Sequence, residues 1–208
     1  TKPVYSHYAM ATAGLVVGHA SGRRYRDQLD AQLFGPLGMQ STVWDDTAVP
    51  AGHLAKGYCY SDNDGDCGPG AVAGSTMPIT YQWQLGDAEG MGGLYSSVAD
   101  LARYAAFELE SVSPPATPGP LSPSSLLESQ TPAIVLPNGQ TDRYGVNWAV
   151  YDNGAPTGYV FWHNGLVSGY RAALEARRDY GIAGIALLAA DPQQTMPEET
   201  DSQELDSA

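Results

Sequence analysis

Beyond Tyr144 the chain reads as one short strand after another with almost nothing between them, and no other feature limits its possible folds so much. The runs 144–151, 158–163, 169–176 and 181–190 are rich in Val, Ile, Tyr and Trp, which suit a pleated, half-buried surface. Between them stand Asp152-Asn153-Gly154, Asn164-Gly165 and Arg178-Asp179-Tyr180-Gly181, which read as turns. Parallel neighbours need a crossover of about a dozen residues or more, so connections this short imply antiparallel hairpins.

Ahead of the strands the periodicity is helical. Residues 8–20 are apolar nearly all round, which predicts a buried helix closed by Ser21-Gly22. Tyr25, Leu29 and Leu33 recur at four-residue spacing with charges between them, an amphipathic helix over 24–34 that should stop before Pro36. Residues 45–90 are rich in Gly, Asp and Pro and read as a long excursion with one short strand at 79–83. Ser97 and Asp100 form a capping-box-like start to a helix over 98–109. Five prolines in 111–123 mark a surface connection, and 124–130 is a short helix. Helices first and antiparallel strands after give an α+β fold, an antiparallel β-sheet flanked by helices. What covers the second face of that sheet is left open.

The 208 residues fit one domain with a sizeable core. A formal charge of −13 argues against nucleic acid and anionic membrane surfaces as partners. No run approaches the roughly 20 apolar residues of a membrane span. The only cysteines, Cys59 and Cys67, flank an Asp-, Asn- and Gly-rich loop. Two readings stand: a disulfide closing that loop in a periplasmic or secreted protein, or two free thiols in a cytosolic one. Asp62, Asp64 and Asp66 around Gly65 echo a calcium loop but lack its spacing and distal Glu, so an acidic turn is the better reading. No cofactor or metal is expected.

Three blocks carry a family resemblance. Tyr5-Ser6-His7 leads through Gly14, Ser21-Gly22 and Tyr25 to Phe34-Gly35-Pro36-Leu37-Gly38-Met39. Gly92-Gly93-Leu94-Tyr95-Ser96-Ser97 precedes Asp100-Leu101-Ala102. His163-Asn164-Gly165 follows Val160-Phe161-Trp162 and precedes Gly169-Tyr170-Arg171. Together, in this order, they resemble the C-terminal part of the penicillin-recognising serine hydrolases (β-lactamases, D,D-peptidases and esterases). There the first block is a Tyr-x-Asn motif opening a buried helix, and the last is a His-x-Gly triplet replacing Lys-Thr-Gly. The resemblance covers 1–191 as the C-terminal portion of such a domain and leaves 192–208 as an acidic tail or linker.

The resemblance implies acyl transfer through a serine ester, on esters, D-amino-acid peptides or β-lactams. It gives Tyr5 the part of accepting the serine proton and returning it to the leaving group. A phenol with pKa ~10 is a poor base at neutral pH, so a positive neighbour has to lower it. His163 would donate a hydrogen bond and, when protonated, hold a substrate carboxylate. Gly165 would let substrate lie against the strand backbone. With Asn164 and His7, these residues make up the candidate substrate contacts. A second oxyanion donor would fall near Val167–Gly169.

Two departures qualify this. His7 stands where the family has Asn, and imidazole cannot offer both an amide oxygen and an NH2. A structural His7 and a substrate-binding His7 both remain open. The chain also holds no Ser-x-x-Lys, since its lysines are Lys2 and Lys56 and His53 stands three before the latter. The nucleophile is therefore expected in a missing N-terminal segment of the same protein, which with a small-molecule or peptide substrate makes up the expected partners. The alternative is a catalytically inactive binding or sensor module. Of the remaining histidines, His19 is expected in a core or interface and His53 at the surface.

Overall fold

A computed structural model describes residues 5–60, 75–79, 82, 84–115, 119–135, 143–152, 159–167 and 169–190. Helix α1 (His7–Ser21) starts at Ser6, whose Oγ accepts from the Ala9 N–H at 3.2 Å. It ends at Gly22, whose φ of 66° makes it a left-handed cap. The helix forms where the apolar run predicts it, but it is not buried. Tyr8, Leu15 and Val16 are 86%, 53% and 61% exposed, and only Ala11 and Gly14 are buried. The reason is local: α1 meets the short 3-10 helix Gly86–Met91 along one narrow face, with glycine against glycine.

Helix α2 (Tyr25–Leu29) does not stop before Pro36. It passes through a π-turn (Asp30–Phe34) into α3 (Gly35–Leu37). In that widened turn the Gly35 N–H reaches back to the Asp30 carbonyl. Pro36 then sits in the first turn of α3, where its missing N–H costs nothing. Gly38 (φ 68°) closes α3, and the Met39 N–H donates to the Phe34 carbonyl.

The excursion holds a hairpin, β1 (Tyr58–Tyr60) with β2 (Thr76–Pro78), and most of the strand expected at 79–83 lies outside the described residues. Cys59 on β1 is 1% exposed and disulfide-bonded. Cys67 and the acidic turn around Gly65 lie outside the described residues. Helix α4 (Val98–Glu108) starts where expected, the Ser97 Oγ accepting from the Asp100 N–H. The buried Asp100 carboxylate accepts from the Ser41 N–H at 2.7 Å and from the Thr42 hydroxyl at 3.0 Å, which pins the chain after Met39 to α4. Helix α5 (Pro123–Ser129) comes next, capped by Ser122.

The sheet runs β3 (Ile134–Val135), β4 (Arg143–Tyr144), β5 (Ala149–Asp152), β6 (Tyr159–Val167), β7 (Tyr170–Arg177) and β8 (Ile182–Leu188), each antiparallel to the next. Two expectations need correcting. The run 144–151 is not one strand, because residues 145–148 turn between β4 and β5 and the Gly145 N–H closes onto the Trp148 carbonyl. Asn164-Gly165 is not a turn either. Both pair in mid-strand, with Ala173 and Ala172, and the reversal comes later at Gly169 (φ 78°). A long ladder with alternating side chains outweighs the local turn propensity of Asn-Gly. The turn at 178–181 is as expected, with Gly181 at φ 63°.

Alternation places Trp148, Val150, Phe161, Leu174 and Ala176 on one face, covered by Tyr104 and Ala105 of α4 and by Leu109 just after it. Phe161 and Val150 are fully buried, each contributing about 1.5–3 kcal/mol. The opposite face is open toward β8, where Ile182 and Leu188 are 57% and 46% exposed.

Candidate active site

The start of α1 sets the position of Tyr5. Ser6 caps the helix, so Tyr5 projects from its N-terminal end, and His7 on the first turn meets it edge-on with ring centroids 5.0 Å apart. His163 comes from the middle of β6, and its ring lies 6.4 Å from that of Tyr5. Residues far apart in the chain therefore meet, one carried by the sheet and the other by the start of α1. Tyr144 on β4 is a third member, 6.4 Å from Tyr5. Sequence reasoning missed Tyr144 as a site residue, since it looked like an ordinary aromatic opening a strand.

The remaining candidates flank this cluster. Asn164 and Gly165 are exposed, and alternation puts the Asn164 side chain on the opposite face of β6 from His163. Among the described residues a Cβ at Gly165 would meet the Ala172 Cβ alone, at an ordinary 3.6 Å, so neither φ nor their packing demands glycine there. Of the expected oxyanion segment, Val167 ends β6, Gly169 is buried, and Ser168 lies outside the described residues. The turn is held from outside. Tyr170 donates to the Ala55 carbonyl at 2.8 Å, Gln82 donates to the Tyr170 hydroxyl at 3.3 Å, and Tyr95 donates to Gln82 at 3.1 Å. His19 and His53 are both exposed, so of the core or interface position expected for His19 the core one does not hold within this chain.

The electrostatics of Tyr5 oppose a base. Burial pushes its phenol above the ordinary value. The N-terminus of α1 offers about 0.3–1 kcal/mol toward a tyrosinate, against roughly 4 kcal/mol for a three-unit lowering. His163 Nδ1 lies 2.6 Å from the Asn164 carbonyl oxygen, which accepts from it in the tautomer that carries the proton on Nδ1. Away from these residues, Arg26 joins three segments. Its Nε donates to Glu89 at 2.7 Å, a terminal nitrogen also meets Glu89, and Nη1 pairs with Asp45 at 3.0 Å.

A mixed fold with these helices and this antiparallel sheet, which brings the start of the first helix to a central strand, defines a β-lactamase and transpeptidase type of domain. The chain belongs to the Beta-lactamase family, whose model matches residues 1–207. It is 26% identical over 180 residues to Beta-lactamase-like protein 2 of Dictyostelium discoideum, covering 86% of this chain and 29% of that protein. It is 27% identical over 172 residues to Penicillin-binding protein 4* of Bacillus subtilis (strain 168), covering 80% and 35%. Among solved structures, the octameric penicillin-binding protein homologue from Pyrococcus abyssi superposes with a TM-score of 0.75 at 21% identity, covering 91% of this chain and 39% of that one. The D-amino acid amidase from Ochrobactrum anthropi SV3, complexed with D-phenylalanine, gives 0.68 at 22%, covering 90% and 51%. The chain thus spans about a third of the curated relatives' length, and at these identities the structural likeness speaks for the fold alone.

Proposed function

We propose that this chain is the part of a serine hydrolase that supplies the proton-transfer residue and one wall of the active site, while a preceding segment of the same protein supplies the nucleophile. The observation that carries this reading is the meeting of Tyr5 with His163 across the fold. In acylation the serine oxygen attacks the substrate carbonyl carbon, and its proton passes to the Tyr5 oxygen. Tyr5 then gives that proton to the leaving oxygen or nitrogen as its bond to carbon breaks. Water repeats the exchange on the acyl-serine and releases the acid. Tyr5 serves as that base only if a cation lies beside it, since burial alone shifts it the wrong way. A lysine on the same helical face as the serine, one turn away, meets that need.

Gly165 supports a substrate lying along β6, because nothing among the described residues requires a glycine there. The substrate class is an ester, a D-amino-acyl amide or peptide, or a β-lactam, in keeping with names among the relatives such as penicillin-binding protein and D-amino acid amidase. The disulfide at Cys59 favours a periplasmic or secreted location. A second reading, a binding module without turnover, draws on the raised Tyr5 phenol and on a chain without Ser-x-x-Lys.

A fluorophosphonate probe on the full-length protein separates the two. The hydrolase reading expects stoichiometric labelling of one serine, and loss of ester hydrolysis by about 100-fold or more in Tyr5→Phe with folding intact. Absence of labelling, or an unchanged rate in Tyr5→Phe, leaves the binding module.

A further inference from the structure

The turn from β6 to β7 is gripped from across the fold. Gly169 sits in it at φ 78°, and Tyr170 opens β7 directly after. A Cβ on Gly169 would stand 2.7 Å from the Ile79 side chain and 3.2 Å from the Gly57 backbone. A Cβ on Gly57 would stand 2.8 Å from the Tyr170 ring. The Ile79 N–H donates to the Gly57 carbonyl at 3.0 Å, and the Tyr58 N–H to the carbonyl of Ala189, just past β8, at 3.1 Å. The turn, the residues flanking the β1–β2 hairpin and the end of the sheet therefore meet at one junction. Cys59, next along β1, is disulfide-bonded.

The Tyr170 hydroxyl joins this junction to a second segment. Its one proton goes to the Ala55 carbonyl at 2.8 Å, so from the Gln82 amide it accepts, at 3.3 Å. Gln82 then turns its oxygen to Tyr95, which donates at 3.1 Å. Tyr95 is anchored in turn by two backbone bonds to Val43, both 2.9 Å. Burial first, and Asp46 next, pushes the Tyr95 phenol up to about 12, so it stays a donor at neutral pH.

We propose that Tyr170 is a positioning residue for acyl transfer: its hydroxyl, held between Ala55 and Gln82, sets the β6–β7 turn so that a backbone N–H there meets the oxygen that turns negative as the carbonyl is attacked. This rests on the hydrolase reading, in which a second oxyanion donor falls near Val167–Gly169. Such a donor acts through its exact placement, and a displacement of about 1 Å costs on the order of a hundredfold in rate. Ring packing on Gly57 holds the turn in place, and the two hydroxyl bonds set its height against the strand.

The test uses the full-length protein, 4-nitrophenyl acetate as substrate and phenylboronic acid as inhibitor, whose adduct on serine is tetrahedral and anionic. Tyr170→Phe keeps the ring and removes both hydroxyl bonds. Acylation and deacylation both pass through an oxyanion, so kcat should fall about tenfold or more while KM stays within about twofold. The Ki of the boronic acid should rise by about the same factor. Tyr151→Phe removes another tyrosine hydroxyl bond in the sheet, to Glu175 at 3.2 Å, and should leave kcat and Ki unchanged. If Tyr170→Phe does not fold, Gln82→Leu removes one of the two bonds with Tyr170 in place and should shift kcat and Ki the same way. An unchanged kcat, a fall in kcat without the rise in Ki, or an equal fall in Tyr151→Phe overturns the inference alone. A parent that neither reacts with a fluorophosphonate nor turns over the ester ends the hydrolase reading, and the inference with it.

Discussion

Glu108 is a residue whose environment works against its charge. It lies at the end of α4, 4% exposed, and its carboxyl is pushed above the ordinary range by burial first. Hydrogen bonds from Gln130, Tyr104 and Trp148 pull the other way without prevailing, the Gln130 amide donating at 2.8 Å. The folded state therefore holds the Glu108 proton at pH values where the unfolded chain, near about 4.3, has released it. This contribution to stability is fully present below that value and is lost as pH rises through the folded one. Glu108→Gln keeps an acceptor for Gln130 and removes the titration. Denaturant midpoints measured from pH 4 to 8 should fall less steeply in the variant than in the parent, and parallel curves would contradict the assignment. At this scale the sequence spoke unevenly. Ser97 and Asp100 announced their cap through spacing, whereas Glu108 carried no local signal, since its burial depends on Gln130 arriving from α5. Tyr144 was hidden for the same reason: only the assembled sheet brings it to Tyr5.

Elements were read well where a periodicity ran for several residues and poorly where a single dipeptide had to decide. The apolar run over 8–20 and the capped run over 98–109 became α1 and α4. Asn164-Gly165 failed as a turn because the pairing of β6 with β7 extends through it, and Pro36 failed as a stop because a π-turn shifted the register. Two glycines separate packing from function. A Cβ at Gly90 would stand 2.5 Å from the Met10 carbonyl oxygen, so α1 and the turn at 86–91 approach backbone to backbone. Gly90→Ala should cost about 1–3 kcal/mol by overpacking, read as a lower denaturant midpoint. Gly165→Ala meets only ordinary contact and should stay within about 0.5 kcal/mol of the parent. If Gly165 lies under substrate, that variant nevertheless raises KM in the full-length protein. A large stability loss there would tie Gly165 to packing instead.

For the whole molecule, the helices-then-strands order revealed the α+β class, and three spaced motifs revealed the family. The sequence could not show which apolar surfaces the chain leaves open, because hydrophobicity alone does not say what a residue packs against. Among the described residues such surfaces include the outer side of α1 with Tyr8, Leu15 and Val16, and the β8 end of the sheet with Ile182 and Leu188. Apolar surface in water costs about 25 cal/mol per Å², and an unpaired strand invites another. The 208-residue polypeptide expressed alone should sediment above monomer mass and bind a hydrophobic dye, and Leu188→Lys should reduce both effects. A monodisperse, dye-free monomer would show that these surfaces are tolerated as they stand.

The two segments that meet at Tyr5 and His163 also differ in tempo. His163 belongs to a ladder paired with β7 from Val160 to Val167, and such a segment opens only when much of the sheet opens with it. Tyr5 hangs one residue ahead of a helix start secured by the Ser6 hydroxyl, and helix ends fray on far shorter timescales. Tyr5 and His163 thus stand on segments held to different degrees, one by a continuous ladder and one by a single helix cap. Amide exchange should record this as slow protons along 159–167 beside fast ones at residues 7–9.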